Sequence, residues 1–296
     1  MKAGTRKRIA AAVAVMATST ALMLSAPASG SAAPAAAPSL RAFGITGDGT
    51  QMATFTTDRP NVLDWVRDII GLSGDTALIG IDFRVQNGLM YGVGDKGGIY
   101  TIKTPPATPD VVITKVSQLQ YSLHGTNFGV DFNPAADRLR VVSDNGQNLR
   151  HNLNDHTTIQ DLNLTTPPAE GTTKGVSAAA YTNNDLNGAT GTTLFDVNTA
   201  GDQIVVQSPA NNGTLAPTGS LGIDAQTNAG LDVFSSVSGG KTVGNAAYAT
   251  LTASGAARPS LYSINLFTGE ATLVSDALGA RFPLNITDLA ISLTGS

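Results

Sequence analysis

LIGIDFRVQNGLMYGVGDKGGIYTI, residues 78–102, contains a pattern that returns along the chain and decides how the fold is interpreted. Its core, GIDF, returns as GVDF and less closely as AAAY, GLDV and TDLA. The copies begin at Gly80, Gly129, Ala178, Gly230 and Thr287. A period of about 40–50 residues with several short strands in each unit is typical of β-propeller blades. The repeat therefore predicts an array of like sheets.

Each repeat contains four β-rich runs separated by Gly, Asn, Asp and Pro. In the first complete repeat these runs are LIGIDFR, LMYGVG, GIYTI and DVVITKV. The pairs Asn87-Gly88 and Asn145-Gly146 lie between such runs, and both residue types tolerate the positive φ of tight hairpin turns. The pattern predicts four antiparallel strands per repeat.

The two ends of the chain complement one another. Residues 286–293, ITDLAISL, form a lone strand of the inner type, whereas the start supplies RAFGIT, QMATFTT and residues 61–72 without a leading strand. One strand and three strands complete a further unit, and their pairing removes the exposed edges of an open array. We therefore predict an all-β fold: a five-bladed β-propeller with four antiparallel strands per blade, closed by pairing of the N- and C-terminal strands.

Residues 61–72, NVLDWVRDIIGL, have two interpretations. They fit the missing outer strand of the closing blade, but Leu63, Val66 and Ile70 also suit the apolar stripe of a short helix. Both alternatives stay open at this stage.

The N-terminus has the features of a targeting segment. A basic start precedes an Ala-rich apolar run and the small-residue pattern Ala26-Pro27-Ala28, so residues 1–28 are predicted to be a signal peptide. A membrane anchor is the alternative, but the polar residues at 18–20 leave the run shorter than the roughly 20 apolar residues of a span. We expect a secreted, extracellular protein, with residues 29–39 as an Ala/Pro-rich flexible leader and residues 40–296 as a single domain.

Charge and cysteine content exclude several classes of protein. Without the four cations of residues 1–28 the formal net charge is −8, from 14 cations and 22 acids. Nucleic acids and anionic lipids select a basic surface, so neither is expected as a partner. The chain has no Cys, which removes disulfides, thiol nucleophiles and Cys-based metal sites. We expect a monomer with no membrane span after signal cleavage.

Several longer motifs resemble those of a family of bacterial exported proteins, the domain-of-unknown-function family numbered 4394. The resemblance covers roughly residues 40–293 and is carried by LIGIDFR with NGLMYGVG, FGVDFNPAADRLRVVSDNGQNLRHN, AAYTNNDLNGATGTTLFDV, NAAYATL and LYSINLFTGEATLV. It implies a secreted, β-propeller-like domain. It implies no established activity, so no catalytic residue is carried over.

Aspartates recur at one position of the repeat. Asp82, Asp131 and Asp232 are aligned, and Asp288 belongs with them if the last copy is aligned correctly. Strand alternation places each Asp on the face opposite its apolar neighbours. Converging carboxylates would hold a cation such as Ca²⁺, which prefers oxygen ligands. The alternative is a structural role, in which each Asp accepts hydrogen bonds from the backbone of the next blade.

The densest polar patch is DRLRVVSDNGQNLRHN, residues 137–152. Guanidinium groups recognise carboxylates, phosphates and sugar hydroxyls, so this patch is a candidate ligand-binding surface. An ion-pair lattice between blades, with Asp137 and Asp161 as further partners, is the alternative. A second polar loop, residues 181–193, offers amide groups for a glycan or peptide, although such a loop is also an ordinary turn. The candidate binding residues are Arg138, Arg140, Asp144, Asn148, Arg150, Asn183 and Asn184.

Catalytic signatures are mostly missing. The sequence contains neither a G-x-S-x-G elbow nor an H-E-x-x-H zinc motif. His151 and His156 lie five residues apart in a polar stretch and are interpreted as a solvated pair, with metal ligation as the alternative. The favoured function is a non-enzymatic module that binds an extracellular glycan, peptide or protein. A propeller hydrolase or lyase that uses channel-facing Asp residues, with calcium as a candidate cofactor, and a structural cell-envelope protein are the alternatives. Carboxylates in an open channel would favour the enzyme, and a plugged channel the binding module.

Overall fold

The structure is a computed structural model that describes residues 38–275, 279 and 281–296. Within these ranges the regular elements are β-strands, joined by turns and by one 3-10 turn at Ala210–Asn212. The strands are β1 (Arg41–Thr46), β2 (Gln51–Thr56), β3 (Trp65–Ile70), β4 (Leu78–Arg84), β5 (Leu89–Gly94), β6 (Gly98–Lys103), β7 (Val111–Gln118), β8 (Phe128–Asn133), β9 (Arg138–Ser143), β10 (Asn148–Asn152), β11 (Thr157–Gln160), β12 (Val176–Tyr181), β13 (Leu194–Asn198), β14 (Gln203–Gln207), β15 (Leu215–Ser220), β16 (Ala225–Ser238), β17 (Lys241–Ala253), β18 (Ser260–Ile264), β19 (Ala271–Leu273) and β20 (Ile286–Ile291). The predicted all-β class is confirmed.

The largest sheet has eight strands in the order β20-β1-β2-β3-β7-β6-β5-β4. It consists of two antiparallel groups of four, which are joined where β3 and β7 run parallel for two residue pairs, Ile69 with Val111 and Ile70 with Val112. The strand at the C-terminal end, β20, pairs antiparallel with β1. The two ends of the described chain therefore meet in one sheet.

The remaining strands form three antiparallel sheets of four strands each: β8 to β11, β12 to β15 and β16 to β19. The strands that carry the sequence repeat are β4, β8, β12, β16 and β20, called the inner strands here. The most extensive contacts between inner strands follow the cyclic order β4, β8, β12, β16, β20 and back to β4. The sequence repeat therefore marks the strands that lie closest to the centre.

Hydrophobic clusters fill the spaces between successive groups of four strands. One cluster joins Ile81 of β4 to Phe43 of β1, and the next joins Tyr91 of β5 to Phe132 of β8. Three more clusters continue the series through the other sheets and back to β1. Face-to-face packing of apolar side chains, rather than disulfides, holds the sheets together.

The central parts of the inner strands are buried, and glycine allows these strands to lie close together. A Cβ atom on Gly129 of β8 would lie 2.4 Å from the backbone N of Ala179 in β12. A Cβ on Gly80 of β4 would lie 2.4 Å from Cγ2 of Val130. The glycine at the start of the GIDF and GVDF copies is thus required by the close approach of neighbouring strands.

The structure decides between the two interpretations of residues 61–72, but the predictions for the N-terminal segment fall on residues that it does not describe. Within residues 61–72, Trp65–Ile70 form strand β3, so the strand interpretation is confirmed. The predicted signal peptide and residues 29–37 of the predicted leader lie outside the described residues. Within the part of the chain that is described, no helix has the length and apolar character needed to cross a bilayer.

Candidate functional site

Three aspartates of the sequence repeat meet at the centre of the inner strands. One carboxylate oxygen each from Asp82, Asp131 and Asp232 lies within 4.8 Å of the other two, and all three residues are buried. Strand alternation explains the arrangement. The neighbours Ile81 and Phe83 turn to the hydrophobic cluster while Asp82 turns away from it. We call Asp82, Asp131 and Asp232 the aspartate ring.

Each carboxylate of the ring accepts a hydrogen bond from the backbone of the next inner strand. Asp82 Oδ2 accepts from Phe132 N at 2.7 Å, and Asp131 Oδ1 accepts from Tyr181 N at 3.1 Å. Asp232 Oδ2 accepts from Ile291 N at 2.5 Å. These are the hydrogen bonds expected if the aspartates have a structural role. They are present together with the close approach of the three carboxylates.

Asp288 lies beside the ring but at a different position of its strand. The residue of β20 that corresponds to Phe132 and Tyr181 as a hydrogen-bond donor is Ile291, so Ala290 occupies the position of the ring aspartates. Asp288 precedes Ala290 by two residues and accepts instead from Ile81 N, at 2.8 Å. Asp288 therefore does not occupy the repeat position predicted for it but lies two residues before that position. Its side chain still faces the same centre.

The electrostatics of these four acids are dominated by burial. Desolvation raises the pKa of Asp82, Asp131 and Asp288 well above the ordinary value, and repulsion from the other aspartates adds to the effect. Burial also raises the pKa of Asp232, to about 6. The neighbouring charges that raise the pKa values of Asp82, Asp131 and Asp288 belong to other aspartates of this group. Chemically, such a group either retains protons or binds a cation.

A cavity of about 320 Å³ lies at the end where four of the inner strands begin, and Asp288 is part of its lining. We call it the central cavity. It combines acidic, amide, hydroxyl and apolar side chains with some backbone surface. Its lining residues are Ile45, Thr46, Gly47, Asp48, Ala77, Leu78, Ile79, Thr126, Asn127, Phe128, Asn228, Ala229, Asn285, Thr287 and Asp288.

The predicted arginine surface is largely an internal network. Arg140 has a side chain only 2 % exposed and forms an ion pair with Asp161, with Nη1 2.7 Å from Oδ2. It also donates to Asn148 Oδ1 at 2.7 Å and to Asn211 Oδ1 at 2.9 Å. The bond to Asn211 links the sheet of β8 to β11 with the sheet of β12 to β15. Arg140 and Asn148 are both buried and offer no surface to a ligand, which corrects their assignment to a binding patch.

The other members of that patch lie in separate places. Asp144 accepts hydrogen bonds from the backbone N of Thr126 and Asn127 and so fixes the turn before β8. Arg150 binds the two oxygens of Asp161, at 2.9 and 3.0 Å. Arg138 and Arg150 both line a small cavity of about 190 Å³ that also includes Asp155. The structure therefore does not bring the predicted patch together on one face.

Asn183 lies in a groove that the sequence did not predict as a whole. The groove has a volume of about 380 Å³ and runs between the strand groups that begin with β12 and β16. Phe267 stands at its edge with 85 % of its surface exposed. Its lining is uncharged and consists of Thr182, Asn183, Thr193, Phe195, Asn245, Ala247, Ile264, Asn265, Leu266 and Phe267. We call it the Phe267 groove.

Hydrogen bonds fix the polar wall of the Phe267 groove. Asn245 Nδ2 donates to Asn183 Oδ1 at 2.8 Å, and Ser235 Oγ donates to Asn245 Oδ1 at 2.8 Å. The second predicted residue, Asn184, instead donates from Nδ2 to the carbonyl of Val233 at 2.9 Å. Asn184 therefore secures the loop to the neighbouring sheet, while Asn183 faces the groove.

The two histidines of the polar stretch are not a solvated pair, which corrects that interpretation. His151 is buried, and its Nε2 lies 2.9 Å from Ser117 Oγ, which is also 2.9 Å from Nδ1 of His156. Burial, followed by the neighbouring His156, lowers the pKa of His151 to about 4. The imidazole is therefore neutral near pH 7 and serves as a contact between two sheets.

The sequence did not predict most residues of the central cavity and the Phe267 groove, because these residues come from distant repeats. Phe267 carried the best available signal, since an aromatic residue in the turn sequence NLFTGE has little reason to be buried. No pattern in the sequence indicated that Asp196 is buried. It is wholly buried on β13, and neither carboxylate oxygen has a hydrogen-bond partner among the described residues.

Comparison with solved structures gives distant likenesses. Kuenenia stuttgartiensis hydrazine synthase has 13% identity over 73% of this chain and 52% of its own, with a TM-score of 0.38. Myxococcus xanthus glutaminyl cyclase has 9% identity over 73% of this chain and 94% of its own, with a TM-score of 0.42. Dihydro-heme d1 dehydrogenase NirN, in complex with DHE, has 12% identity over 80% of this chain and 44% of its own, with a TM-score of 0.34. This chain thus spans about half the length of the first of these chains.

Comparison with curated protein sequences gives no match. A family model, described as a domain of unknown function (DUF4394), matches residues 51–290. That match confirms the family resemblance carried by the repeat motifs. The chain therefore belongs to the DUF4394 family.

Proposed function

We propose that this chain is a secreted, non-enzymatic binding protein that recognises neutral glycans in the Phe267 groove. The observation that carries the proposal is an aromatic ring, 85 % exposed, beside a groove of Asn and Thr side chains without a charged residue. An exposed aromatic face packs against the apolar face of a sugar ring, and amide and hydroxyl groups pair with its hydroxyls. Secretion is proposed from the signal-like N-terminus.

The experiment is a glycan array followed by calorimetric titration of the best neutral glycan into the purified protein. We expect Phe267→Ala to weaken binding by about tenfold or more, which corresponds to about 1.4 kcal/mol. Phe267→Trp should retain binding because it keeps an aromatic face. The matched control is Tyr121→Ala, which removes another exposed aromatic ring outside the groove.

Two results would contradict the proposal. One is an array on which no neutral glycan binds, and the other is equal affinity of Phe267→Ala and the unchanged protein. Loss of folding does not confuse the test, since a ring that is 85 % exposed contributes little to the core. Melting curves of the variants should therefore coincide.

We infer a five-bladed β-propeller as the architecture that supports this site. The support is the cyclic contact order of the five inner strands, the groups of four strands that follow them, and the pairing of β20 with β1. The eight-stranded sheet is then two blades, joined at their outer strands by the short parallel pairing of β3 with β7. A crystal structure with another number of four-stranded units around the axis would contradict this inference.

A second candidate function is calcium binding by the aspartate ring, which would fasten the inner strands together. The observation in its favour is the approach of three carboxylate oxygens within 4.8 Å, where burial and neighbouring carboxylates raise the pKa of Asp82 and Asp131. Calcium takes six to eight oxygen ligands, so Asp82, Asp131 and Asp232 would supply part of the set. Metal-stripped protein should release or absorb heat on titration with Ca²⁺ and melt at a higher temperature. Asp131→Asn should weaken both effects, and no binding heat at millimolar Ca²⁺ would remove this candidate.

The hydrolase or lyase alternative has less support. The carboxylates of the ring are close together, but all of them are buried and accept backbone hydrogen bonds. A scissile bond must reach its acid and base directly or through one water molecule. Burial of Asp82, Asp131 and Asp232 therefore favours a structural or ion-binding role over catalysis.

A further inference from the structure

We propose that the central cavity binds a small organic ammonium ion, such as an alkyl amine or diamine. This site lies where the inner strands begin, whereas the Phe267 groove lies beyond their other end. In β16 the two ends are marked by Asn228, which lines the central cavity, and by Ser235, whose register partner Asn245 lines the groove. The proposal does not depend on glycan binding.

The charge of the cavity selects a cation. Asp48 is exposed on the β1–β2 turn and accepts a hydrogen bond from Thr46 Oγ1 at 2.5 Å, which lowers the pKa of its carboxyl. Asp48 is therefore ionised at neutral pH. Asp288 lies deeper, where burial raises the pKa of its carboxyl, so the negative charge of the cavity rests on Asp48. The lining contains no Lys, Arg or His, so a cleft with one sign of charge concentrates cations and repels anions.

The shape and apolar surface of the cavity select an organic cation rather than a bare ion. Its volume of about 320 Å³ is about ten times the ~30 Å³ that a water molecule occupies in the liquid. A metal ion would leave most of that volume to solvent. The walls also include Ile45, Ile79 and the aromatic ring of Phe128, which pack against methylene groups and favour a cation over the ring face.

The remaining polar groups suit an ammonium head. Asn127, Asn228 and Asn285 carry side-chain carbonyl oxygens, and Thr287 carries a hydroxyl oxygen. An ammonium group has N–H donors and needs acceptors for each of them when it leaves water. Carboxylate, amide and hydroxyl oxygens around one cavity supply acceptors in several directions. The site thus offers both the charge and the hydrogen bonds that such a ligand requires.

The experiment is calorimetric titration of the full-length protein with 1,4-diaminobutane, with butane-1,4-diol as the neutral ligand of the same length. We expect the diamine to bind and the diol to bind at least about tenfold more weakly. Asp48→Asn keeps the acceptor for Thr46 but removes the charge, and it should weaken diamine binding by about tenfold. The matched control is Asp64→Asn, which removes an exposed charge outside the cavity and should leave the affinity unchanged.

Several outcomes would overturn the proposal. These are no heat with millimolar diamine, equal affinities for diamine and diol, and equal affinities of Asp48→Asn and the unchanged protein. Binding of Ca²⁺ that displaces the diamine and is lost in Asp48→Asn would assign the cavity to a metal ion instead. Because Asp48 is exposed, its variant is expected to fold, and a coincident melting curve checks this. Glycan binding by Phe267 variants reports separately on the other site.

Discussion

Arg140 illustrates how one buried side chain can resemble a binding residue in the sequence. Arg140 and Arg150 face each other across β9 and β10, and Asp161 lies between their guanidinium groups. Buried ion pairs stabilise a fold little relative to apolar residues, but removing Arg140 would leave Asp161 with only Arg150 as its cationic partner. The network therefore constrains which residues can occupy these positions.

Replacing Arg140 by Met should lower the free energy of unfolding by about 1–3 kcal/mol, because Asp161 and Asn211 lose a buried hydrogen-bond donor while Arg150 still pairs with Asp161. Arg138→Met is the control, since Arg138 is only partly buried and its side chain donates to local carbonyl groups. It should change stability by less than about 0.5 kcal/mol. Urea unfolding measures both values, and similar losses in the two variants would contradict the network.

Asp196 is predicted to make stability depend on pH. Burial raises the pKa of its carboxyl well above the ordinary 3.8, while Arg140 opposes the shift. The folded state therefore binds this proton more tightly than the unfolded chain. The contribution of protonated Asp196 to the free energy of unfolding is fully present below pH 3.8. It is lost as the pH rises through the raised pKa of the folded state.

Asp196→Val should therefore stabilise the protein at pH 8 by about 1–3 kcal/mol, because it removes a buried polar group without partners. The register partners Ala179 and Val205 belong to a hydrophobic cluster that can accept the new side chain. The gain should shrink as the pH approaches 4. Melting curves across this pH range measure it, and a gain that is independent of pH would contradict a titrating Asp196.

At the scale of the elements, the inner strands depend on glycine where neighbours approach. Gly129→Ala would place a Cβ 2.4 Å from Ala179 N and 2.6 Å from Ala178 C, both backbone atoms that move only with their strand. The variant should lose at least about 2 kcal/mol of unfolding free energy. Gly188→Ala, with no atom within 4 Å of the new Cβ, is the control and should behave like the unchanged protein. Equal denaturant midpoints would mean that β8 and β12 are farther apart than the structure indicates.

At the scale of the whole molecule, the pairing of β20 with β1 joins the two ends of the described chain. Leu289 of β20 is 1 % exposed and packs in the cluster shared by β1, β2 and the last sheet. Leu289→Ala should lower the free energy of unfolding by about 2–5 kcal/mol. Leu186→Ala, in a loop with 62 % of the side chain exposed, should cost less than about 0.5 kcal/mol. A small effect at Leu289 would show that closure contributes little to stability.

The sequence by itself determined the strands, their grouping in fours and the family, because these depend on local alternation and on a repeat that is visible along the chain. It also predicted β20 as the partner of the first strands, since an unpaired strand at one end matched a missing strand at the other. The repeat and the alternation of side chains along each strand also placed Asp82, Asp131 and Asp232 on a common face.

Only the tertiary structure decided which polar residues are accessible. Arg140 and Asn148 are read in the sequence as surface groups, yet packing between sheets buries them. The central cavity and the Phe267 groove each combine residues from separate repeats, so no local pattern contains them. Periodicity reports which face of a strand a side chain occupies, but the contacts between sheets determine whether that face meets solvent or another sheet.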